Sequence, residues 1–170
     1  IIHTNDLHSH MEHASQHRDQ GHYAAVKAEI DRLKQVAQSQ GKDTLVLDAG
    51  DFSEGTPFFF ANEGEDSWRM MNYMGYDAVA VGNHDYLMGQ QDLDRILSHV
   101  QPEFQLLAAN FIRNPALKLP GLKKFLHPYA EFTRSGVKIG VIGLTTDDFV
   151  YKWRAGIGPQ GNDLISSPQE

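Results

Sequence analysis

Short apolar runs that alternate with segments of helical periodicity are the feature that most narrows the fold of this chain. Ile1-Ile2-His3-Thr4, Thr44-Leu45-Val46-Leu47-Asp48, Ala78-Val79-Ala80-Val81 and Gln105–Phe111 read as strands. The second and third are apolar almost without interruption, as strands covered on both faces are. Between them, Val26, Ile30, Leu33 and Ala37 recur at helical spacing until Gly41. Trp68, Met71, Tyr73 and Met74 fit a helix ending near Gly75, and Leu93, Ile96 and Leu97 mark another over Asp92–Val100, before Pro102. Tyr129–Arg134 and Val137–Leu144, joined across Ser135-Gly136, read as a hairpin. The alternation predicts an α/β fold, a sheet with helices on both faces.

Composition sets the outer bounds. The 170 residues amount to about one domain. Twenty-two acidic against 15 basic residues give a net charge of −7, which argues against a nucleic-acid polymer or an anionic membrane surface as partner. A small anionic substrate stays compatible with that sign, because local cations decide. The absence of Cys excludes thiolate metal sites, Cys nucleophiles and disulfides. No apolar run approaches the roughly 18 residues of a membrane span. The chain opens directly on Ile1-Ile2 with no leader before the first strand, a start that reads as trimmed; the aperiodic Gly/Pro/Ser-rich stretch 156–170 reads as a cut end.

Position singles out the candidate chemistry. Three strand runs lead at their carboxyl ends into metal-ligand residue types: Asp6-Leu7-His8, Gly50-Asp51 and Gly82-Asn83-His84-Asp85. Open α/β sheets place their functional crevice outside those ends. Asp6 and His8, two apart on an extended segment, would project to one side and could grip one cation. Asp51 could bridge two ions, and Asn83 offers a neutral carbonyl oxygen. Gly50 and Gly82 allow sharp turns or close backbone approach. Carboxylate, amide and imidazole without sulfur suit Mn, Zn, Fe, Mg or a similar divalent ion. Singly, each motif also fits an ordinary loop: an Asp–His hydrogen bond, a Gly-Asp turn or N-cap, a Gly-Asn turn with a solvated His. The three in order, each ending a strand run, favour metals.

Together, His3-Thr4-Asn5-Asp6-Leu7-His8-Ser9-His10, Gly50-Asp51-Phe52-Ser53-Glu54-Gly55-Thr56-Pro57 and Gly82-Asn83-His84-Asp85 resemble the calcineurin-like metallophosphoesterases, in particular their 5′-nucleotidase/UDP-sugar hydrolase branch. Ile139–Asp147 is similar to a later strand of that branch, so the likeness runs from residue 1 to about 148. The resemblance implies an αββα sandwich, here truncated, with two divalent ions (Mn, Zn, Mg or similar). Asp6 and His8 would hold the first ion, Asp51 would bridge, Asn83 would hold the second, and His84 would be the catalytic residue facing the phosphate. It implies hydrolysis of nucleotide phosphoesters by an activated water, without a nucleic-acid polymer as partner, in a periplasmic, secreted or cell-surface protein. UDP-sugar diphosphatase, 2′,3′-cyclic nucleotide phosphodiesterase, or a non-catalytic metal-binding or interaction domain are the alternatives.

Two departures qualify the carry-over. The family motif has an Asp three residues after its His, where this chain has Leu87, leaving Asp85 as a candidate partner for His84. A later Gly-His-x-His-type segment is also missing; only His99 and His127 follow, one in a helix and one in Leu-His-Pro. Residues 1–170 are thus expected to be the N-terminal part of a catalytic domain, the rest and a substrate domain lying outside this chain. Two other motifs fall away. Gly156–Gly161 matches G-x-G-x-x-G but lacks the strand and helix that a dinucleotide site needs. His8-Ser9-His10 matches the H-x-H of amidohydrolases, whose barrel needs roughly 250 residues. Phe58-Phe59-Phe60 is expected to be mainly buried, and His13, His17 and His22 to be solvated.

Overall fold

A computed structural model describes residues 1–12, 22–111, 113 and 116–146. Five short parallel strands, β1 (Ile2–Thr4), β2 (Val46–Asp48), β3 (Ala78–Ala80), β4 (Gln105–Leu107) and β5 (Leu126–His127), form one sheet in sequence order. The register pairs Ile2 with Val46, Leu47 with Ala78 and Ala78 with Gln105, so the strand ends stay level along one rim. Helices α1 (Tyr23–Ser39), α2 (Pro57–Ala61), α3 (Glu65–Met74), α4 (Gln90–Val100) and α5 (Pro120–Phe125) intervene, and β6 (Tyr129–Arg134) pairs antiparallel with β7 (Val137–Ile142).

The alternation of strand side chains assigns the layers. Val46, Val79 and Leu106 point to one face, where Tyr23, Ile30, Trp68, Met71, Met74, Leu93, Ile96, Leu97 and Leu122 from α1, α3, α4 and α5 form the main core. Leu47, Ala78 and Leu107 point to the other face and meet Ala130, Phe132 and Val141 of the hairpin. Among the described residues the helices cover one face and a β layer covers the other, giving an α–β–β succession. A strand apolar on both sides shows that both faces are covered but not by what, hence the misreading. Two other expectations change. The fourth strand stops at Leu107, well short of Phe111, and the Phe triplet splits into buried Phe59 and exposed Phe58 and Phe60.

Candidate metal centre

The loops leaving β1, β2 and β3 lie side by side at the carboxyl rim. The Asp6, His8 and Ser9 N–H groups donate to the carbonyls of Gly50, Asp51 and Phe52 at 3.0, 2.9 and 2.8 Å, extending the β1–β2 pairing into the loops. Gly50 adopts φ +94°, and a side chain there would run into the Gly82 N–H and the Ala80 carbonyl. A side chain on Gly82 would strike Asp51. The second and third loops can touch only because both positions lack a Cβ, as their sequence implies.

Asp85 locks that contact. Its buried carboxylate accepts from the Asp51, Phe52, Ser53 and Gly82 N–H groups at 2.9, 3.0, 3.0 and 2.8 Å. Burial pushes its carboxyl well above the usual range and the Asp51 charge adds to that, while the N–H donors pull the other way. Asp85 is thus occupied with backbone and is not the partner of His84.

Asp6, His8 and Asp51 present ligand atoms that all lie within 4.8 Å of one another. His8 Nε2 is 3.4 Å from Asp6 Oδ1. The route differs from the expected one: Asp6, His8, Ser9 and Asp51 all have left-handed backbone, with φ of +55°, +43°, +50° and +60°. The Asp6-x-His8 pair therefore converges through a kinked turn and not through an extended segment. Such conformations are uncommon outside Gly and gather where the surroundings impose them. Ser9 shows the imposing contacts: it is fully buried, its Oγ accepts from the Thr56 N–H at 3.0 Å, and its carbonyl accepts from the Thr56 hydroxyl at 2.9 Å.

His8 Nδ1 lies 2.6 Å from the Glu54 carbonyl. A carbonyl only accepts, so Nδ1 carries the proton and Nε2 presents a lone pair toward the carboxylates, the tautomer a metal ligand needs. Asn83 and His84 sit in a 3-10 turn, Asn83–Asp85, and the His84 N–H donates to Asp51 Oδ1 at 2.8 Å. Asn83 Nδ2 is buried with no hydrogen-bond partner. Amide nitrogen and oxygen exchange on a flip, so the orphan marks a position where Asn83 can offer its oxygen to a ligand. His84 Nδ1 lies 2.5 Å from Glu54 Oε2, and its ring meets that of His8 edge to face at 4.9 Å.

All five sequence-predicted site residues thus come to one rim. Glu54 was missed; only its place after Gly50-Asp51 hinted at it. Three other histidines lie apart. His22 caps α1 by accepting from the Ala25 N–H, exposed His99 faces Glu65 from the last turn of α4, and His127 lies in β5. His13, His17 and the Gly156–Gly161 segment fall outside the described residues.

A parallel sheet whose strands deliver clustered carboxylate, imidazole and amide groups to one rim defines an α/β architecture with a candidate metal site. Residues 1–156 match the calcineurin-like phosphoesterase family, and the chain belongs to it. It is 37% identical over 155 residues to the protein UshA of Yersinia enterocolitica and 36% identical over 154 residues to a 5′-nucleotidase of Vibrio parahaemolyticus, each time covering 87% of this chain and 25% of the relative. The structure of a 5′-nucleotidase precursor from Thermus thermophilus superposes with a TM-score of 0.70 at 33% identity, over 85% of this chain and 28% of that one. The chain therefore spans about a quarter of the length of these relatives.

Proposed function

We propose that this chain carries part of the metal centre of a phosphoester hydrolase acting on nucleotides, and is the N-terminal portion of its catalytic domain. The observation that carries the reading is the convergence of Asp6, His8 and Asp51 within 4.8 Å, with His84 hydrogen-bonded to Asp51. Asp6, His8 and Asp51 would hold one divalent ion; Asp51 and Asn83 would contribute to a second, whose remaining ligands lie elsewhere. Two ions so held would supply Lewis acidity, making hydroxide available from water near neutral pH and offsetting phosphate charge. The chain's own groups do the positioning. The Glu54 carbonyl keeps the His8 Nε2 lone pair directed at the carboxylates, and the His84 N–H fixes the Asp51 carboxylate. The His84 side chain faces the phosphate as a donor with hydrogen on both ring nitrogens, and its Nε2–H stabilises developing charge or passes to the leaving oxygen, which leaves the ring with its hydrogen on Nδ1.

Supporting the nucleotide class are the relatives named 5′-nucleotidase, one a snake-venom protein of Naja atra at 34% identity. With them goes a periplasmic, secreted or cell-surface location. Among the described residues no helix is long and apolar enough to cross a membrane. The full-length protein supplied with Mn is expected to release phosphate from AMP. Preference for UDP-glucose or 2′,3′-cyclic AMP would point to the diphosphatase or diesterase alternative. Stoichiometric metal with no release from any phosphoester, an aryl phosphate included, would leave a binding module. His84→Ala is expected to lower turnover about 10²–10⁴-fold while metal content stays near wild type; unchanged turnover removes His84 from the reaction.

A further inference from the structure

Glu54 makes two contacts that belong together. Its main-chain carbonyl receives the His8 Nδ1 proton at 2.6 Å, and its side-chain Oε2 sits 2.5 Å from His84 Nδ1. One residue therefore holds the same nitrogen of two neighbouring imidazoles, whose rings meet at an interplanar angle of 74°. The carboxylate is partly shielded, with side-chain exposures of 21% for His84 and 30% for Glu54. The backbone that presents Glu54 is itself held: Thr56, two residues on, is bonded to Ser9 through its N–H and its hydroxyl. The other acid beside His84, Asp85, is taken up by four backbone N–H groups, and Leu87 is aliphatic.

We propose that Glu54 is the positioning residue for His84, its carboxylate fixing the proton on Nδ1 and so turning Nε2 toward the phosphate. This rests on the hydrolytic reading for its consequence but not for its geometry. An ionised carboxylate only accepts, so a ring held by it carries hydrogen on Nδ1. Partners that orient a metal-ligating imidazole in this way are typically worth about 10–100-fold in activity, and the same scale is expected for His84. His8 is held by the carbonyl, which a side-chain change leaves in place, so the two roles of Glu54 separate by mutation. One competing arrangement uses the same groups: His8, Glu54 and His84 also offer ligand atoms within 4.8 Å of one another, and a cation held by all three would make Glu54 a metal ligand.

The experiment uses the full-length protein with Mn, in wild type, Glu54→Ala, Glu54→Gln, His84→Ala and the Glu54→Ala/His84→Ala double variant. Glu54→Ala is expected to lower kcat for AMP about 10–100-fold with Mn content unchanged. In the His84→Ala background the same change is expected to cost less than about 2-fold, because a residue acting through His84 has nothing left to orient. Glu54→Gln, whose carbonyl oxygen can still accept, is expected to recover most of the turnover. Independently of activity, ¹⁵N-histidine NMR of the metal-free protein at mildly alkaline pH should show His84 as the Nδ1–H tautomer in wild type and a mixture in Glu54→Ala. An equal loss in both backgrounds, loss of Mn from Glu54→Ala, or an unchanged His84 tautomer would each overturn the proposal. Absence of phosphate release from wild type would defeat the hydrolytic reading instead, and the NMR result would still decide what Glu54 does.

Discussion

At the scale of single residues, Asp48 shows what the rim costs. It closes β2 with 4% exposure, and its carboxylate accepts from the Thr4 hydroxyl at 2.5 Å and the Gly50 N–H at 2.8 Å. Burial pushes its carboxyl up to about 6; those two bonds oppose the shift, and the Asp6 and Asp51 charges add to it. The folded chain thus keeps a proton up to about pH 6 that the unfolded chain gives up near pH 4. Between those values the folded state binds more protons, so stability falls as pH rises and the whole penalty is present above the window. A gap of about two units is worth on the order of 3 kcal/mol. Asp48→Asn keeps an oxygen for Gly50 and can donate to Thr4 Oγ1, whose own proton can pass to the Tyr76 hydroxyl at 2.6 Å. With chelator present, thermal unfolding should find Asp48→Asn about 1–3 kcal/mol more stable than wild type at pH 7.5. The decline between pH 4 and 6 should also be shallower in the variant than in wild type, since Asp85 remains as the other buried carboxyl held above its usual range. Equal pH slopes for the two proteins would show that Asp48 is not the titrating group.

Between elements, the decisive tie runs from the 3-10 turn after β3 to the loop after β2. Asp85 Oδ1 takes the Phe52 and Ser53 N–H groups, and Oδ2 takes those of Asp51 and Gly82. An Asn there would point an N–H₂ at two N–H donors, whichever way it flips. Two buried donors left unmet cost about 2–4 kcal/mol together. Asp85→Asn should lower stability to urea by about that amount, and Mn affinity should fall with it, because Asp51 and Asn83 flank the tie. Stability within about 0.5 kcal/mol of wild type would show that the two loops hold without it. Much of this region was readable beforehand. The ligand-type residues, the order of the three loops and the need for Gly50 and Gly82 are all local in sequence. Glu54 was not, since its contact with His84 spans 30 positions and depends on left-handed turns at His8, Ser9 and Asp51 that no periodicity encodes. The elements missed, α2, α5 and β5, have five, six and two residues, too few for a period to declare itself.

For the molecule as a whole, the question is how a hairpin becomes the third layer. Its inward residues are modest, with Ala130 buried and Phe132 and Val141 only partly so. Polar contacts at the turn end supply registration. Arg134 donates through Nε to the Thr44 carbonyl at 2.8 Å and through Nη2 to Asp77 Oδ1 at 2.6 Å, and Asp77 Oδ2 accepts the Val46 N–H at 2.8 Å. The Ser135 hydroxyl donates to Asp43 at 3.0 Å. One planar guanidinium thus joins the hairpin to the entry of β2 and, through Asp77, to the entry of β3. Arg134→Ala should cost about 1–3 kcal/mol in urea unfolding, since a carbonyl and half a carboxylate lose a charged donor at a half-buried site. Arg134→Lys should recover little, because a single ammonium cannot reproduce the fork that spans both acceptors. Hydrogen exchange separates docking from global stability. Amides of β6 and β7 should lose more protection than those of β2 and β3 in Arg134→Ala. Equal loss across both sheets would mean that the small apolar contact seats the hairpin by itself.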